Sequence, residues 1–151
     1  MDEKAIPFHY RLDKQGNPVP EFDLLTWAKW MEHSWPARCV DQVVFRAGTP
    51  GAIKVSTVFL GTVHPNPRNL QDDTPMLYET MVFTEEPILA RLLELAETDD
   101  RSIIAQAFGG IDIQKRYATK EQAKAGHKKM CHFIEVCLAQ GLLPDGENAS
   151  A

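Results

Sequence analysis

The sequence predicts an α+β fold: an antiparallel sheet of about four strands with helices packed on it, the C-terminal helix lying on one face. Three observations carry this. Residues 52–62 and 76–83 are rich in β-branched and aromatic residues, and a proline-rich connection starting at His64 joins them. A helix marked at both ends fills most of the last quarter of the chain. The order of periodic segments is strand, strand, strand, helix, strand, helix, which suits a layered sheet-and-helix domain.

At 151 residues, with 44% hydrophobic and 25% charged content, the chain has the size and composition of one ordinary globular domain. We expect that domain to span residues 1–143, with 144–151 as a flexible tail. A net charge of −5 and a pI near 5.5 argue against bulk electrostatic binding to nucleic acid. No run approaches the roughly 18 apolar residues of a membrane span. Met1-Asp2-Glu3-Lys4 is charged and shows no signal peptide. Cys39, Cys131 and Cys137 are odd in number and lack CxxC spacing, so neither a disulfide framework nor a thiolate metal site is indicated. A cytoplasmic location without a membrane, a metal or a cofactor is the expectation.

Residues 8–12 read as an extended piece, Asp13-Lys14-Gln15-Gly16-Asn17 as a turn, and Pro18 and Pro20 keep the return leg at an edge. Asp23 is an N-cap, and Leu24, Trp27, Ala28 and Met31 recur at helical spacing. This helix should end near His33–Ser34, because Pro36 disfavours helical geometry at Trp35. Trp27 and Trp30 are more simply core anchors than a stacking pair. Residues 40–46 alternate as a strand. From Ile53 to Leu60 both faces are apolar, the pattern of a central strand, and Ser56 and Thr57 within it need hydrogen-bond partners.

Residues 62–75 form a long loop, and residues 76–83 return antiparallel to the preceding strand. Pro87 opens a helix with Ile88, Leu92 and Leu95 on its apolar face. Residues 101–108 are ambiguous between helix and strand, and residues 111–117 alternate as a fourth strand. The last helix starts at a capping box, Thr119 with Gln122. Ala123, His127, Met130, Ile134, Cys137 and Leu138 form its stripe, and Gly141 ends it. Lys120, Lys124 and Lys128 face outward as a solvated strip.

Glu79 shares a strand side with Leu77, Met81 and Phe83, an otherwise apolar row. A carboxylate there must be paired, hydrogen-bonded or protonated. Its expected partners are Arg116 and His127, the one polar member of the last helix's stripe. The first reading is a structural clasp of Glu79, Arg116 and His127 that fixes helix to sheet. The functional reading makes Glu79 and His127 a general acid/base pair, or a metal site completed by His64 and by Asp72 or Asp73. His64, Arg68, Asp72 and Asp73 on the long loop are the candidate binding residues. No phosphate loop, dinucleotide fingerprint, HExxH or GxSxG motif is present.

Several motifs together resemble a family of small uncharacterised proteins of tailed bacteriophages and prophages. They are Pro18-Val19-Pro20, Asp23-Leu24-Leu25 with Trp27, Val55-Ser56-Thr57-Val58-Phe59-Leu60-Gly61, Tyr78-Glu79-Thr80-Met81-Val82-Phe83, Arg116-Tyr117 and Ala125-Gly126-His127. Two departures stand out. Thr62-Val63-His64 replaces the family's usual Leu-Asp-His, and residues 84–107 look like an insertion before Phe108-Gly109-Gly110. The resemblance implies a phage or prophage accessory protein with no established activity. Since the sequence shows no complete catalytic constellation, we expect it to act by binding a host or phage protein rather than as an enzyme. The alternatives are a small metal-dependent or acid/base hydrolase centred on Glu79 and His127, and a virion component that self-assembles into a homo-oligomer.

Overall fold

The computed structural model describes residues 8–64, 74–97 and 103–146. A short ribbon, β1 (Tyr10–Leu12) and β2 (Pro18–Pro20), precedes helix α1 (Leu24–His33), the one-turn helix α2 (Trp35–Arg38) and strand β3 (Cys39–Phe45). Strands β4 (Ile53–His64) and β5 (Met76–Phe83) follow, then helices α3 (Glu86–Ala96) and α4 (Ile103–Ala107), strand β6 (Gln114–Tyr117) and helix α5 (Lys120–Ala139). Strands β3-β4-β5-β6 form one antiparallel sheet in chain order, and α5 packs across all four of them. The expected α+β architecture is the one observed. No helix among the described residues is long and apolar enough to cross a membrane.

Helix α5 forms where its sequence marks it. The Thr119 hydroxyl accepts from the Gln122 amide, and the Gln122 side chain reaches back to the Thr119 amide, a complete capping box. At the other end Gly141 takes φ +67°. Its N–H reaches Leu138 O and the Leu142 N–H reaches Cys137 O, which satisfies two otherwise orphaned carbonyls.

The helix covers one sheet face, and the register identifies it. Val55 pairs with Val82, Thr57 with Thr80 and Phe59 with Tyr78, and all six are buried under α5. Ile53, Val55, Val82, Ile88, Leu92, Phe133 and Ile134 belong to one apolar cluster. Leu12, Phe59, Leu77, Tyr78 and Ala123 make a second. On the opposite face stand Ser56, Val58, Glu79, Met81, Gln114 and Arg116.

Several expectations are corrected. Pro36 does not simply end α1: it opens α2, because proline fits the first turn of a helix. The fourth strand begins only at Gln114; Ile111 and Ile113 are buried but precede it, because Gly109 and Gly110 take φ +69° and +92° and turn the chain. Leu24 and Ala28 of α1 are exposed, since α1 lies over the β1–β2 ribbon at the sheet's end and not over the sheet. Within the segment expected to be an insertion, Ile88 and Leu92 of α3 lie fully inside the main core. Arg46 donates to the carbonyls of Leu143 and Pro144 and lies 3.7 Å from the Asp145 carboxylate.

Gly126 is required by this packing. A Cβ at that position would run into the Tyr117 hydroxyl and ring carbons, so the ring or the helix would have to shift. Gly126→Ala should therefore lose about 1–3 kcal/mol in urea unfolding. Adding Tyr117→Ala should recover part of the loss specific to the clash, and Tyr117→Phe should not, because the ring carbons remain in the way.

Candidate functional site

Two polar constellations occupy opposite faces of the sheet. Under α5 a polar row crosses all four strands: Asp41 of β3 pairs with Thr57, Thr57 with Thr80, and Thr80 with Lys115 of β6. His127 descends from α5 onto the middle of this row. The Thr57 and Thr80 hydroxyls are 2.6 Å apart, and the Thr57 hydroxyl lies 2.8 Å from His127 Nδ1.

The other imidazole nitrogen, Nε2, lies 3.5 Å from the Asp41 carboxylate without a well-formed hydrogen bond. That carboxylate favours the tautomer with the proton on Nε2, leaving Nδ1 to accept from Thr57. The proton inventory then closes: Thr57 accepts from Thr80 while donating to the ring.

Burial lowers the His127 pKa below 6.5, opposed in part by Asp41. Burial likewise raises the Tyr117 hydroxyl above its usual range. An aspartate, a histidine and a hydroxyl in sequence is the ordering of an activated nucleophile. Here, however, Thr57 is wholly enclosed and His127 is 2% exposed, so no substrate atom reaches either. The row is an interior polar seam.

On the other face, Glu79 Oε2 accepts from Arg116 Nε at 2.9 Å and from Gln114 Nε2 at 3.0 Å. Glu79 and Arg116 are direct cross-strand partners, the pairing by which neighbouring strands stabilise one another. The expected clasp is thus split. Arg116 meets Glu79, whereas His127 lies across the sheet from both. What Glu79 fastens is β5 to β6, not helix to sheet. An acid/base pair of Glu79 with His127 is overturned by the same geometry, because adjacent residues Glu79 and Thr80 project to opposite sides and His127 belongs with Thr80.

His64 closes β4 and pairs with Met76, three positions along β5 from Glu79. Arg68, Asp72 and Asp73 lie outside the described residues. Among the described residues, no group of three His, Cys, Asp or Glu side chains is placed to hold a metal ion. The three cysteines are free, and burial pushes the Cys131 and Cys137 thiols up to about 11, far from reactive thiolates.

Sequence reasoning missed Asp41 and Thr80. The usable signal was the requirement that Thr57, inside a doubly apolar strand, find a partner. Trp27 performs the anchoring expected of it in a specific way: its indole N–H is shared between the carbonyls of Tyr10 and Gly61, at 3.1 and 3.0 Å, tying ribbon, helix and β4 together.

A third feature is an apolar corner. Glu21 N–H donates to His9 O, which continues the ribbon register and places Phe8 beside Phe22. Both are 71% exposed, and Leu24 and Leu25 in the first turn of α1 are 60% and 65% exposed. Compared with known proteins, the chain matches no protein-family model, no curated protein and no solved structure at a significant level.

Two outcomes test the polar constellations. Arg116→Met should cost about 2 kcal/mol in denaturant unfolding, since it leaves the buried Glu79 carboxylate with one amide. Glu79→Gln, which removes the charge needing compensation, should cost less, about 1 kcal/mol. For His127 the folded pKa is depressed, so between that value and 6.5 the unfolded chain binds a proton that the folded chain does not. Stability is then complete above 6.5 and declines as pH falls through it toward the folded pKa. Denaturation midpoints measured across that window should fall with pH, and His127→Gln should be less stable at neutral pH but flatter through the window.

Proposed function

We propose that this chain is a phage or prophage accessory protein that acts by binding another protein through its apolar corner. The strand motifs and the Arg116-Tyr117 and Ala125-Gly126-His127 pattern support the phage assignment. The corner supports the mode of action, and it is the observation that carries the reading. Phe8, Phe22, Leu24 and Leu25 leave on the order of 500 Å² of apolar surface in water at one place. That is the scale at which a patch on a single chain marks an interaction site, and it supplies over half of one side of a standard interface. Trp27 ties α1 to the ribbon and to β4, and the Asp23 cap fixes the first turn of α1. The fitting partner presents an apolar groove or helix face of a host or phage protein.

A photo-crosslinking residue at position 22 or 25 should capture one discrete protein during infection, and the same group at exposed position 14 should not. Leu24→Ser with Phe8→Ser should abolish that adduct while leaving stability within about 0.5 kcal/mol, as all four side chains are mostly solvated already. Equal labelling from position 14 would sink the reading. An adduct formed only with a second copy of this chain would replace it with self-assembly.

A further inference from the structure

Strand β5 runs to Phe83, but β6 pairs with it only as far as Met81 opposite Gln114. The chain before β6 turns away at Gly109-Gly110, and helix α3 stands on the far side. What remains is a cleft of about 1100 Å³ beside the sheet edge, as large as a typical small-molecule site. Its chemistry is divided. Leu89 and Leu93 of α3, with Ile111 and Ile113, give it apolar lining, and Lys115 of β6 and Lys129 of α5 give it cationic lining. Both lysines, together with Gly110, Ile111 and Asp112, also line a small adjoining space that runs to Tyr117 and Gly126.

Leu93 is 51% exposed at this wall, whereas Ile88, Leu92 and Ala96 of the same helix are buried. Lys115 lies 5.7 Å from the Tyr117 ring. Two acidic residues also line the cleft. Asp112 already carries an interaction of its own, and Glu97 stands at the C-terminal cap of α3.

We propose that this cleft binds a small amphipathic anion, an aliphatic carboxylate, with its chain along the α3 leucines and its head between Lys115 and Lys129. An apolar wall and two lysines lining one cleft are complementary to a ligand that is oily at one end and anionic at the other. The site is separate from the apolar corner and does not depend on how the corner is used.

The test is calorimetric titration of the full chain with decanoate, below its micelle concentration, against decanol and acetate. Decanoate should bind one to one and saturably, at least about tenfold more tightly than either comparator. Lys115→Gln with Lys129→Gln should weaken decanoate about tenfold and leave decanol unchanged, and Leu93→Asn should weaken both. Phe22→Ser with Leu25→Ser, at the corner, should change nothing. Circular dichroism of each variant confirms folding, which exposed positions should preserve. No saturable decanoate binding, decanol binding as tightly as decanoate, or decanoate loss in the corner variant instead of the lysine variant would each overturn the proposal.

Discussion

The structure depends on a seam of hydrogen bonds through an otherwise oily interior. Thr57, Thr80 and His127 sit between the two apolar clusters, with Ile53, Val55, Val82 and Phe133 on one side and Phe59, Tyr78 and Ala123 on the other. An apolar helix stripe packs against an apolar sheet in many near-equivalent ways. A single imidazole that must meet a single hydroxyl removes most of them. Sliding α5 by one turn would set the ring on Val55 or Phe59 and leave two buried hydroxyls short of a partner, about 1–3 kcal/mol for each group. The seam contributes specificity of register more than net stability, because an all-apolar replacement would satisfy the same volume.

From that seam the rest of the layout follows. Fixing His127 fixes the rotation of α5, which brings Gly126 against Tyr117 and Met130 to Cys137 over the main cluster. Tyr117 in turn anchors β6, whose outward residues Gln114 and Arg116 hold Glu79 on the opposite face. The two polar constellations are therefore coupled through one short strand: each touches β6, one from above and one from below. Because β6 is only four residues long, these side-chain contacts carry a large part of its attachment to the sheet.

Elements with a local chemical signal were legible. The capping box at Thr119, the glycine at 141 and the Asp23 cap each name a boundary by a hydrogen bond that the sequence alone implies, and each was found in place. Strand polarity was not legible in the same way. Both sides of β5 are largely apolar, Leu77, Met81 and Phe83 on one and Tyr78, Thr80 and Val82 on the other, so alternation cannot say which side lies under the helix. Glu79 pointed reasoning toward its own row as the interior, yet Phe83 on that row is 48% exposed while Thr80 is fully enclosed. The meeting of Asp41 with His127 spans 86 positions along the chain and arises only from the pairing of β3 with β4. A pattern read within windows of a dozen residues carries no trace of it.

The places where pattern and burial disagree are where the fold has no use for the residue present. Leu24 and Ala28 complete an amphipathic period, yet α1 lies where only Trp27, Trp30 and Met31 meet the body of the protein. Serine or lysine at 24, 25 or 22 would serve the monomer's core equally and its solubility better. An apolar side chain left in water contributes little to folding, so folding does not account for it. The same argument holds at Leu93 on the cleft wall and fails at Ile88 and Leu92, one turn away, whose burial already explains them. Within one helix, the residues explained by folding are thus separated from the residue that is not, and the latter faces the cleft.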